Sequence, residues 1–128
     1  MEKFSEEDKE KISNVDLRII PPQGDKHHMI GFDAKTPKEA RSYNDAVFHH
    51  LNVSFNSIFH QVGGSDHSKP GFHAWEIWDT NIDEEELEKI LTVIERDAQI
   101  LIEEDDFEVL DEKLYKRWDK DREKKKNR

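Results

Sequence analysis

Apolar positions along the chain alternate in some stretches and recur at helical spacing in others, and the order of the two patterns predicts a small α+β domain. Val15 to Ile20 (VDLRII) is β-branched and partly alternating; Pro21-Pro22 bars its continuation as helix, and Gln23-Gly24-Asp25 supply turn residues. His27 to Ala34 sets His28, Ile30 and Phe32 against His27, Met29, Gly31 and Asp33, which predicts a second strand in a hairpin with the first. Phe72 to Asp79 (FHAWEIWD) is aromatic and β-branched with apolar groups on both faces, the pattern of a central strand. Trp75 and Trp78 fall on opposite faces of that strand. Core packing is the ordinary role for such residues; if one sheet face were open, His73, Trp75 and Ile77 would form a protein-binding surface.

Helix starts are marked by capping chemistry. Thr36-Pro37-Lys38-Glu39 places a capping hydroxyl, a proline at the first helical position and a capping-box glutamate in register. The stripe that follows, Ala40, Tyr43, Val47 and Leu51, can run on through Phe55, Ile58 and Val62 to the stop signal Gly63-Gly64. One helix of about 26 residues is the favoured reading; the alternation within Leu51 to His60 leaves a strand as the alternative. Asp83-Glu84-Glu85-Glu86 opens a second helix, whose Leu87, Ile90, Leu91, Ile94, Ala98, Leu101 and Ile102 fall within an arc of about 120°. The four acids Glu103 to Asp106 oppose the helix dipole and predict a break, after which a final helix carries Phe107, Leu110, Leu114 and Trp118.

The expected architecture is therefore an antiparallel sheet of three or four strands packed against two main helices in ββαβα order, with a C-terminal helix. Residues 1–14 read as a flexible or short helical arm, 15–118 as a single domain, and 119–128 as a basic, disordered tail. Leu, Ile, Val and Phe make up 31 of 128 residues, enough for one folded core. The absence of cysteine excludes disulfide, thiol and thiolate-metal chemistry. The charged first residues and the lack of any long apolar run lead to the expectation of a cytoplasmic protein with no membrane segment.

Charge changes the picture most. Between Asn81 and Glu112, 14 acids face only Lys89 and Arg96, a local net of -12, whereas the whole chain carries -10. From Lys116 onward eight basic residues oppose three acidic ones. Such a balance opposes direct nucleic-acid binding and favours a basic protein partner. Glu85, Glu88, Glu95, Glu103, Glu104, Asp105 and Asp106 are the candidate partner-binding residues, in an inhibitor or immunity-type protein acting without catalysis or cofactor. If the acidic segment were helical throughout, its charges would recur roughly every 3.4 Å, close to one strand of B-DNA, so a DNA-mimic inhibitor is an alternative.

Seven histidines carry the other alternative. A metal- or histidine-dependent enzyme would draw on His49, His50, Asp66, His67 and His73. Their spacing matches no ligand motif, since the chain lacks HExxH, and His49 and His60 would lie roughly 16 Å apart on one helix. No GxGxxG, Walker or GxSxG motif is present either.

Overall fold

Alternating strands and capped helices assemble into two layers in a computed structural model of the chain, which describes residues 15–22, 27–55, 59–63, 66–78 and 82–126. The arm expected over residues 1–14 and the turn at Gln23-Gly24-Asp25 lie outside these. The elements run β1 (Arg18–Ile20), β2 (His28–Ala34), α1 (Pro37–Ser54), β3 (Phe59–Gly63), β4 (Gly71–Ile77), α2 (Glu84–Glu103) and α3 (Phe107–Leu110). A π-helical turn (Asp111–Tyr115) then leads into α4 (Lys116–Lys126). The sheet is antiparallel with strand order β1-β2-β4-β3, so the aromatic strand β4 is central, as its two apolar faces predict.

Helix α1 begins where the capping box places it: the Thr36 hydroxyl accepts from the Glu39 N–H, and the Glu39 carboxylate accepts from the Lys35 N–H. Its end differs from the favoured reading. The chain leaves the helix at Ser54, Phe55 is extended, and Phe59–Gly63 forms β3, giving ββαββα order. The apolar spacing that would have continued the helix instead serves sheet pairing, with Phe59 opposite Ile77 and Gln61 opposite Trp75. Burial against β4 outweighs a helical periodicity built from weak helix formers such as Asn56 and Ser57. A bulge between Gln61 and Gly63 then turns Val62 out to solvent.

Helices α1 and α2 pack on each other and on one face of the sheet. The predicted stripe Ala40, Tyr43, Val47 and Leu51 is wholly buried, as are Leu87, Ile94 and Ala98 of α2, against Ile30, Phe32, Trp75 and Ile77. His73, Trp75 and Ile77 thus face the core, and the opposite face of the sheet carries Phe72, Ala74 and Glu76, with Ala74 buried. The break at the acidic run is present: α2 stops at Glu103 and α3 starts at Phe107. From 116 onward the chain is helical through Lys126 rather than disordered from residue 119, because Trp118 is buried and anchors the helix.

Candidate functional site

Four of the seven acids singled out from the sequence have structural work. The Glu95 carboxylate accepts from the buried Tyr43 hydroxyl at 2.7 Å, and the Tyr43 hydroxyl accepts in turn from Gln99. Burial first, then the Glu95 carboxylate, pushes the Tyr43 phenol far above its usual value, so it stays a neutral donor. Glu104 accepts from the Asp106 N–H, Asp106 caps α3 by accepting from Glu108 and Val109, and Asp105 pairs with Lys38 at 2.6 Å. Glu85, Glu88 and Glu103 are exposed. The break at Glu104–Asp106 also interrupts the even charge spacing of one continuous acidic helix.

Where α2 passes residues 15–17, a cleft of about 450 Å³ opens, lined by Val15, Asp16, Leu17, Glu88, Leu91, Thr92 and Glu95. Three carboxylates line it beside Val15, Leu17 and Leu91, Asp16 paired with Arg18 at 3.3 Å and Glu95 bonded to Tyr43. Asp16 has a left-handed backbone (φ 53°), a conformation Asp tolerates better than most residues. The Val15 carbonyl, accepting from the Asp33 N–H at 2.6 Å, pins this short segment beside the sheet.

Three of the histidines, His49, His50 and His73, are buried, in two groups with different partners. His73 stacks on Phe32, and its Nδ1 faces the side-chain amides of Asn44 at 3.2 Å and Gln61 at 2.9 Å. Its Nε2 lies 2.7 Å from the Lys69 carbonyl, which can only accept, so Nε2 is the donor there. Asn44 completes the network, accepting from the Trp75 indole and donating to the His67 carbonyl. His67 itself is exposed, and Asp66 accepts from the Ser68 N–H and hydroxyl, bonds that lower its carboxyl below the usual range.

At the other end of α1, His50 Nε2 lies 2.7 Å from Asp97, while His49 stacks on Trp118 with Nε2 3.0 Å from Asp121. Among the described residues, no three His, Asp or Glu side chains converge in a way that would hold a metal ion. The five residues of the enzyme alternative are therefore not assembled into one site.

Asp97, which sequence reasoning did not single out, has four side-chain partners. It is fully buried; one oxygen accepts from the Trp118 indole at 2.8 Å and faces His50, and the other accepts from Arg96 at 3.0 Å and Arg117 at 2.7 Å. Burial pushes its carboxyl up, but the bonds from His50, Trp118 and Arg96 and the charge of Arg117 outweigh it and hold the value at about 2. The sequence signal was available: Asp97 sits beside the apolar arc of α2, three residues after Ile94 and just before Ala98.

Comparison with protein-family models, curated proteins and solved structures finds no match. Among the described residues no helix is long and apolar enough to cross a membrane.

Proposed function

We propose that this is a non-enzymatic binding protein, of inhibitor or immunity type, that presents the α2 cleft to a basic surface on a partner protein. The cleft carries the reading: the exposed Glu88 lines it together with Val15, Leu17 and Leu91, which suits a lysine or arginine whose stem lies on the apolar groups while its cation meets the Glu88 carboxylate. Glu85 and Glu103, exposed along the same helix, extend the negative field that would steer a basic partner.

Titration of the labelled protein with a short lysine- and arginine-rich peptide, followed by amide chemical shifts, tests this. Shifts are expected to concentrate at Asp16, Glu88, Thr92 and Glu95, to shrink as salt rises, and to be lost in Glu88→Lys. Shifts spread evenly over all acidic residues, or unchanged in Glu88→Lys, would overturn the assignment.

A further inference from the structure

Helices α1 and α4 leave a cavity of about 210 Å³ between them, which shares no residue with the α2 cleft. Sequence spacing builds its walls. Asp45, Phe48, His49 and Asn52 recur at helical spacing on one face of α1, and Trp118 and Arg122 stand one turn apart on α4. Three of these six side chains are rings. His49 stacks on Trp118 at 4.3 Å, Tyr115 of the π-helical turn packs against Trp118 at 5.9 Å, and Phe48 is half exposed. Bonds to neighbouring elements hold two of the rings in place: the Trp118 indole donates to Asp97 at 2.8 Å, and His49 Nε2 lies 3.0 Å from Asp121. The cavity is therefore preformed, and a ligand would not have to order it.

Two opposite charges line this cavity without meeting. Arg122 engages Asp119, one turn back on its own helix. Among the described residues, the Asp45 carboxylate makes no hydrogen bond or ion pair. Desolvation, foremost, raises its carboxyl above the ordinary value, and the charges of His67 and Arg41 offset only part of that. An ammonium group set against Asp45 would offset the rest.

From this arrangement we propose that the cavity binds a free α-amino acid with an apolar side chain. Its ammonium meets Asp45, its carboxylate meets Arg122, and its side chain lies among the rings of Phe48, His49 and Trp118. Arg122 can hold a carboxylate and keep Asp119, because a guanidinium carries five donors.

Size and charge select this occupant over others. Sites for drug-sized ligands start at about 300 Å³, so the volume here limits the ligand to a small molecule. A simple cation would meet Arg122 as a like charge, and a simple anion would meet Asp45. An uncharged apolar molecule would strip water from both charged groups and return nothing. A residue within a peptide has neither terminal charge. A free amino acid supplies both signs on one carbon, next to an apolar group.

Titration of the labelled full chain with L-leucine to about 20 mM, followed by amide shifts and the Trp118 indole resonance, tests the proposal. Saturable shifts are expected at Asp45, Phe48, Asn52 and the Trp118 indole, with a dissociation constant of about 1 mM. Leucinamide keeps only the cation and N-acetylleucine only the anion. Each should bind the unaltered chain at least about fivefold more weakly than leucine. Asp45→Asn should abolish the preference for leucine over N-acetylleucine, and Arg122→Gln the preference over leucinamide. Both side chains reach solvent at the rim, so circular dichroism of the variants should match the parent. A basic peptide in the α2 cleft should shift Glu88 and leave Phe48 in place, and leucine should do the reverse, so the two assignments fail independently. No saturable shift at the cavity, a derivative that binds as tightly as leucine, or preferences unchanged in both variants would each overturn it.

Discussion

Asp97 shows how one residue can tie three helices together. It belongs to α2, faces His50 of α1, and accepts from Trp118 and Arg117 of α4. Its folded value of about 2 lies below the ordinary 3.8, so the unfolded chain binds the proton more readily. The carboxylate's contribution to stability is thus complete above the ordinary value and is lost as pH falls through about 2, about 2 kcal/mol in all. His49 acts in the same direction from higher pH: burial foremost lowers its imidazole, so protonation on acidification favours the unfolded chain. Urea unfolding at a series of pH values should therefore show stability falling first in the range of the ordinary histidine value and again below that of an ordinary carboxyl. Asp97→Asn should cost about 3 kcal/mol at neutral pH, because it strands buried donors, and should flatten the acid limb. An acid on the edge of an apolar arc was readable in the sequence. That it would meet His50, Arg117 and Trp118 was not, since it depends on how three helices cross.

Among the elements, those with local chemistry at their ends were legible. Thr36 and Asp83 start their helices, the acidic run at Glu103 ends one, and the β1–β2 hairpin follows its alternation. The end of α1 was not, because the spacing of Phe55, Ile58 and Val62 serves helix and strand alike until β4 is there to pair with. Nor was the π-helical turn over Asp111–Tyr115, where the Lys116 N–H reaches back to the Asp111 carbonyl. The wider turn keeps Leu110, Leu114 and Trp118, spaced by four, on the buried side. Thr36→Ala should cost about 1 kcal/mol through the lost cap, measured in the same unfolding series.

For the molecule as a whole, the α+β class follows from the order of alternating and helical segments, and the structure adds the fourth strand. The candidate site was legible only as a charge surplus. Which carboxylates remain open to a partner depends on Tyr43 and Lys38, contacts 52 and 67 residues apart in sequence that no local pattern carries.

Among the described residues, both borders of the sheet are short or irregular. On one side β1 offers three residues and runs into Pro21-Pro22; on the other the bulge at Val62 breaks the ladder. Among the described residues, neither border is a long, regular strand of the kind on which another chain, its own unfolded copies included, adds a strand and grows into a fibre. Removing Val62 would straighten that border, and light scattering at elevated concentration should then rise with time where the parent solution stays clear.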